Sequence, residues 1–280
     1  QTVVGEDYFI AQGGKGANVA VACARQNQNV SLIGCVGDDL FSQNMLTNLN
    51  NEGITTSTIT QLKGERGGFA SITLCDGDNR IIVVPGANKL ITPQMVETFK
   101  KDILKCDIVG GQFEIPVESL FAACKICYEN NIKFVLNLSP IKEYPKDFIK
   151  MSTFIVVNEI EVKEIEGYDE LNPDKILQLY PNKLIVTKGG NGVEYCNGKE
   201  IVRIPALNID VVDTTGAGDT FLGSFMVGTA NGLNITDAIY YANICAGLKT
   251  TKVGAQTGMP KLDEVKKYIK EHNINLEINF

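Results

Sequence analysis

Short apolar runs alternate along most of the chain with longer stretches in which apolar positions recur at helical spacing. The first pattern suits buried strands and the second suits one face of a helix. The expected strands are VSLIGCV (30–36), DIVGG (107–111), KFVLNL (133–138), TFIVV (153–157) and KLIVT (183–187). The expected helices are GANVAVACARQN (16–27), LFSQNMLTNLNN (40–51), PQMVETFKKDIL (93–104), PVESLFAACKICYENN (116–131), TGAGDTFLGSFMVGTA (215–230), TDAIYYANICAGLKTT (236–251) and LDEVKKYIKE (262–271). Strands alternating with helices predict an α/β fold, with a mainly parallel sheet covered on both faces. Two regions break the rhythm. TVVGEDYFIA in 2–12, and GGFASITLC and NRIIVV in 54–84, look like strands without intervening helices, and DGDN is a turn signal between the last two. They predict a small antiparallel sheet beside the main domain, one face of which covers a ligand or a second subunit.

Composition narrows the function classes. With 280 residues, of which 44% are hydrophobic, the chain can fill the core of one large domain or two ordinary ones. A net charge of −7 argues against a nucleic-acid surface, which needs a basic stripe. No apolar run approaches the roughly 18 residues of a membrane span. No secretory signal is read at the start, which is Gln1 and not Met. Of the eight cysteines only Cys124 and Cys127 form a CxxC pair, and no second pair or nearby histidine completes a zinc site. Reduced core cysteines of a cytoplasmic protein are expected. The single histidine, His272, lies in a charged terminal segment, which sets histidine catalysis aside.

Four stretches can carry chemistry. In DTTGAGDTF (213–221), a helix start offers unpaired amides and the positive end of a dipole. Gly216 and Gly218 let the backbone approach an anion. Asp219 has the wrong sign for another phosphate ligand, but it is placed to take a proton from a hydroxyl that attacks the phosphate. Capping by Thr214 or Thr215 explains the threonines and the Asp, though not Gly-Ala-Gly. QGGKGANVAVA (12–22) fails as a P-loop, because Phe9 and Gly16 stand where Gly and Ser or Thr are required, and fails as a dinucleotide fingerprint at Val19. What remains is a glycine loop with Lys15 and Asn18 at a helix start, donors suited to sugar hydroxyls or a tight turn before a packed helix. Asn158 and Glu161 follow a buried strand and share one helical face, where they can organise water around Mg²⁺ or simply open a helix. IVTKGGNGV (185–193) ends a strand at Thr187 in a glycine-rich turn, suited to a triphosphate or ribose, or to a plain hairpin connection.

Taken in order, these residues resemble the ribokinase branch of the PfkB carbohydrate-kinase family. GGKGAN matches its N-terminal signature and DTTGAGDTF its C-terminal one; IIVVPGAN (81–88), GQFE, VNEIE, VTKGGNG and KVGAQ (252–256) fall where they should, so the match covers essentially the whole chain. The resemblance implies a three-layer α/β/α domain (13–53 and 85–280) with a mainly parallel sheet and a small discontinuous β-sheet lid (1–12 and 54–84). It implies ATP-dependent phosphorylation of ribose at the 5-hydroxyl. Asp219 would be the base, and Gly216, Ala217 and Gly218 the anion hole. Gly14, Lys15, Gly16, Ala17, Asn18 and Glu114 would hold the sugar. Asn158, Thr187, Lys188, Gly189, Gly190, Asn191, Gly192, Gly218 and Asn243 would lie along the nucleotide, with Asn158 and Glu161 managing Mg²⁺ indirectly. Asp213, Thr215, Lys249, Lys252, Gly254 and Gly258 match a monovalent-cation site, usually for K⁺, that braces the anion-hole loop. A homodimer through the lid is expected.

Two departures accompany the resemblance. Only twelve residues precede Gly13, where the family has a buried strand and an Asn-x-Asp sugar contact, so a fragment with these residues upstream is expected. Gly258 stands where ribokinases usually carry a small hydroxyl residue. The substrate alternatives are fructose, deoxyribose or a nucleoside; the alternative class is a non-catalytic sugar- or nucleotide-binding relative.

Overall fold

A computed structural model describes residues 7–75 and 78–280. The chain opens with helix α1 (Lys15–Ala24), strand β1 (Gly34–Val36), helix α2 (Leu40–Asn51) and strand β2 (Ile59–Gln61). Strands β3 (Phe69–Cys75) and β4 (Asp78–Val84) follow, then the short helices α3 (Pro93–Thr98) and α4 (Lys100–Ile103). Strands and helices then alternate through β5 (Ile108–Gly111), α5 (Val117–Glu129), β6 (Lys133–Asn137), α6 (Lys146–Met151), β7 (Phe154–Asn158), α7 (Asp174–Leu179) and β8 (Leu184–Thr187). Strands β9 (Val193–Cys196) and β10 (Ile201–Ile204) precede the helices α8 (Ala217–Ala230), α9 (Ile235–Thr250), α10 (Ala255–Gly258) and α11 (Leu262–Glu271).

One sheet runs in the order β10-β9-β8-β7-β6-β5. Strands β5 to β8 are parallel, and β9 and β10 are antiparallel additions. Successive side chains of a strand point to opposite faces. Phe134, Leu136, Ile155, Val157, Leu184 and Val186 join one apolar cluster with α5, α6 and α7. Val135, Val156 and Ile185 join another with α1, α8, α9 and α11. Burial on both faces is why these strands read as continuous apolar runs. Parallel strands laid down in one direction carry their crossovers on one face, which leaves the other face to α1 and the C-terminal helices. Helices α1 and α8 cross closely at Gly223, where a Cβ would lie 2.9 Å from both Ala22 Cβ and the Val19 carbonyl oxygen.

Some expectations change. The run at 30–36 shortens to β1, with only an isolated bridge from Ser31 to Thr55 before it. Strand β2 pairs in parallel with β1, so it is not part of the small antiparallel sheet. That sheet is the β3–β4 hairpin, in register from Phe69↔Val84 to Cys75↔Asp78. Residues 76 and 77 of its DGDN turn lie outside the described residues, as do residues 2–6 of the first strand-like stretch. Residues 7–12 form no strand, having no partner among the described residues to complete a ladder. The periodic stretch 93–104 is interrupted at Phe99 and gives α3 and α4. Helices α6 and α7 and strand β10 are too short to announce themselves by period. Among the described residues no helix is long and apolar enough to cross a membrane. The described cysteines are free, and burial pushes the Cys23, Cys127 and Cys245 thiols up to about 12.

Candidate active site

The loop before α8 is built to leave amides open. Asp213 accepts from the Thr215 amide through Oδ1 (2.8 Å) and from the Gly254 amide through Oδ2 (2.7 Å), pinning the loop to the turn before α10. Gly216 then takes a left-handed conformation (φ 79°) as the residue before the helix. A Cβ there would press on Ala255, 3.0 Å away. Neither Thr214 nor Thr215 caps α8; the helix has no side-chain cap at all. The Ala217 amide turns back to Thr214 O and the Thr220 amide to Gly216 O, so among the described residues the Gly216 and Gly218 amides have no acceptor. Nothing lies within 4 Å of a Cβ placed on Gly218. Open amides, a helix dipole and free space make an anion site.

Asp219 stands in the first turn of α8 and is only 7% exposed. Its Oδ2 accepts from Asn18 Nδ2 (2.8 Å) and its Oδ1 from Gln112 Nε2 (3.1 Å). Burial pushes the Asp219 carboxyl above the usual aspartate range, against the lowering influence of Lys15 and the two amides. Asn18 is itself fixed, accepting at Oδ1 from Gln256 Nε2 (3.0 Å), while Gln256 Oε1 accepts from Asn48 Nδ2 (2.8 Å). Asn18 therefore orients Asp219. The amide of Lys15, first residue of α1, donates to Glu114 Oε2 (2.8 Å). A carboxylate is favourable at that positive helix end, and Gly14 (φ 89°) makes the turn that allows it. Gly14, Lys15, Asn18 and Glu114 thus converge with Asp219 where α1, α8 and the end of β5 meet, whereas Gly16 lies against Leu32 and Ala17 packs in the apolar cluster with Leu49, Ile54 and Met259.

The second group gathers at the carboxyl ends of β7 and β8, the edge where open α/β sheets bind ligands. Thr187 Oγ1 donates to Val157 O (3.2 Å), and Lys188 pairs with Glu194 at 2.6 Å. Gly189, Gly190 and Asn191 form an exposed turn. A Cβ at Gly192 (φ 87°) would lie 2.0 Å from Ile204 O, and Asn243 donates to the adjacent Pro205 O (2.7 Å). The 204–206 segment therefore joins the turn to α9. Asn158 and Glu161 cap each other's backbone: Asn158 Oδ1 accepts from the Ile160 and Glu161 amides, and Glu161 Oε2 from the Asn158 amide.

Asp213, Thr215, Lys249, Lys252, Gly254 and Gly258 also meet, at the root of the α8 loop. A positive charge already stands among them. The Lys249 side chain is fully buried, and its Nζ donates to Asp213 O (2.6 Å) and Lys252 O (3.3 Å).

Gln112 and Gln256 were not singled out from the sequence as partners of the base. Gln112 carries the same signal that marks Asn158, a polar residue just past a buried strand, and Gln256 lies in KVGAQ. His272 stacks on Tyr268 in α11 and its C-terminal flank and plays no part here.

A buried base beside open helix amides can deprotonate a hydroxyl while the amides face the oxygens of a transferring phosphoryl group. Fold and site together define a phosphotransferase acting on a hydroxyl. The chain belongs to the pfkB family carbohydrate kinases, which it matches over residues 4–262. It is 43% identical over 277 residues to the ribokinase of Lactococcus lactis subsp. lactis, covering 99% of this chain and 91% of that one. It is 40% identical over 269 residues to the ribokinase of Bacillus subtilis, covering 96% and 91%. Among solved structures, the Arabidopsis thaliana ribokinase complexed with ribose and ATP superposes with a TM-score of 0.85 at 26% identity, covering 92% of this chain and 87% of that one.

Proposed function

We propose that this chain transfers the γ-phosphoryl group of ATP to the 5-hydroxyl of D-ribose. The observation that carries the proposal is Asp219, buried at the uncapped start of α8 and held by Asn18 from the GGKGAN helix. Two relatives named ribokinase, 43% and 40% identical over nearly the whole chain, support ribose as the sugar. Gly14, Lys15, Gly16, Ala17, Asn18 and Glu114 would hold the sugar. Asp219 would accept the hydroxyl proton as oxygen attacks phosphorus, and the open amides of Gly216 and Gly218, with Ala217 between them, would face the phosphoryl oxygens as charge spreads over them. Thr187, Lys188, Gly189, Gly190, Asn191, Gly192 and Asn243 would line the nucleotide.

Mg²⁺ fits the same arrangement. Glu161 uses Oε2 on the Asn158 amide, which leaves Oε1 at the sheet edge for metal-bound water. When bound, Mg²⁺ supplies neutralising charge on the phosphates. We assign the β3–β4 hairpin as a lid on the sugar and as the contact of a homodimer, supported by its exposed apolar positions. We place the enzyme in the cytoplasm, in keeping with its free thiols.

The test is ATP turnover by this chain with D-ribose, D-fructose, 2-deoxyribose and adenosine as acceptors. Highest kcat/KM on D-ribose, with ribose 5-phosphate as product, is the expected result. A preference for another acceptor overturns the sugar assignment, and ATP binding without turnover on any of them overturns the catalytic one.

A further inference from the structure

Lysine ammonium groups are strongly hydrated and are seldom fully buried without partners. Lys249 is 0% exposed, yet it lies in α9 directly behind the loop that carries Gly216–Gly218. Its Nζ bonds to the backbone oxygens of Asp213 and Lys252, and the Asp213 carboxylate lies 3.9 Å away. Carbonyl oxygens only accept, so the nitrogen donates to both. The same Asp213 carboxylate receives the Thr215 and Gly254 amides. The ammonium therefore neutralises a ring of oxygens that would otherwise repel one another where the loop is fastened.

Gly258 bears on the same point from the other side. A Cβ at Gly258 would lie 3.0 Å from Lys249 Cε, 3.1 Å from Lys252 O and 3.2 Å from Lys249 O. The oxygens and the lysine stem crowd the space that a side chain there would enter. The absence of a side chain at 258 and the presence of a long cation at 249 thus complement each other in space. Family resemblance implies a free monovalent cation among these residues. They do not fit one, because the position it would take between the Asp213 and Lys252 oxygens is filled.

We infer that the Lys249 ammonium is a tethered cation that replaces the exogenous monovalent ion at the root of the phosphoryl-transfer loop, so that this chain works without K⁺. Lys249 is a positioning residue: it reaches the reaction only through Asp213 and the loop that follows. The inference rests on the assignment of Asp219 and Gly216–Gly218 as the phosphoryl-transfer site, but the occupancy of the oxygen ring can be tested apart from it.

Two measurements do so. The first needs no substrate: thermal unfolding and calorimetric titration of the whole chain with thallous nitrate (a K⁺ surrogate), and with K⁺ against tetramethylammonium at equal ionic strength. An ion that binds only the folded state raises Tm with concentration. The wild type is expected to show no saturable Tl⁺ binding and the same Tm in both salts. Lys249→Ala, which empties the ring, is expected to bind Tl⁺ and to gain Tm with K⁺. Gly258→Ser, which crowds the stem, is expected to shift in the same direction. The second is turnover on ribose, which should differ by less than about twofold between K⁺ and tetramethylammonium in the wild type and rise at least about tenfold with K⁺ in Lys249→Ala. Saturable Tl⁺ binding or a K⁺-dependent Tm in the wild type overturns the inference. So does a folded Lys249→Ala that responds to neither ion. Should Lys249→Ala fail to fold, the wild-type titration alone decides. Absence of ribose turnover would strike the proposed function and leave the ion titration valid.

Discussion

Both carboxylate oxygens of Asp219 are held by amide donors, Asn18 on one and Gln112 on the other, and neither donor carries charge. Neutral donors fix the direction of a carboxylate while depressing its basicity less than a bonded cation would. With burial acting in the opposite sense, the net shift is upward from 3.8. A base must be deprotonated to work, so activity falls as pH drops through that raised value. The acid limb of the kcat/KM profile, which reports the free enzyme, is therefore expected above 3.8. A limb at or below that value would show that burial does not tune this group. Asp219→Asn keeps the size and removes the base; kcat is expected to fall by roughly 10²–10⁴-fold, with ATP affinity by calorimetry changed only a few-fold. A variant with near-normal kcat would remove Asp219 from the role of base.

At the scale of elements, the site depends on how closely α1 and α8 cross. Both helices are rich in small residues, and at Gly223 the backbone of α8 comes against Val19 and Ala22 of α1. A helix glycine costs about 1 kcal/mol relative to alanine, but here any side chain would force the helices apart. The displacement would open the Asn18–Asp219 bond one turn away. Gly223→Val is expected to destabilise the fold by about 1–3 kcal/mol in urea unfolding and to lower kcat in the same variant. Unchanged kcat at reduced stability would show that the crossing does not set the position of the base.

At the scale of the whole molecule, the β3–β4 hairpin carries a run of exposed apolar side chains, Phe69, Ile72 and Ile81 to Val84. Residues paired across it share a face: Phe69, Ser71, Ile82 and Val84 on one side, Ala70, Ile72, Ile81 and Val83 on the other. Phe69 leans on Phe41 of α2, with ring centroids 5.8 Å apart, which anchors one end of the first face to the chain's own body while Ile82 and Val84 on it stay exposed. On the second face Ile72 is 52% exposed and Val83 61%. A two-stranded ribbon is marginal alone, and an exposed apolar face of this kind marks a contact surface. A second copy of the chain is the occupant we propose. Light scattering should give about twice the 30.5 kDa chain mass for the wild type, and the single-chain mass for Ile72→Glu combined with Ile81→Glu. A wild type that is monomeric at micromolar concentration would end this assignment.

Elements whose burial is regular over several residues were legible in the chain's pattern: α2 from Leu40 to Asn51, the apolar strands β6 to β8, the β3–β4 hairpin, and the two glycine motifs. These features are local, set by the period of apolar residues and by the few positions where only glycine can turn. The tertiary structure decided which polar groups meet once the helices cross. Asn18 and Asp219 lie 201 positions apart and bond because α1 and α8 touch at Gly223. Gln112 joins them because α8 packs on β5, and Gln256 because α10 packs on α1. The threonines before α8 look like caps in the sequence, but the loop's attachment through Asp213 to Gly254 turns them elsewhere and leaves the helix amides open. Lys249 shows the same division most sharply. Lysine is seldom fully buried, yet here it is, with its ammonium donating to backbone oxygens of Asp213, 36 positions earlier, and of Lys252. Local pattern records how much a residue is buried on average; only the packed molecule shows what satisfies a buried polar atom.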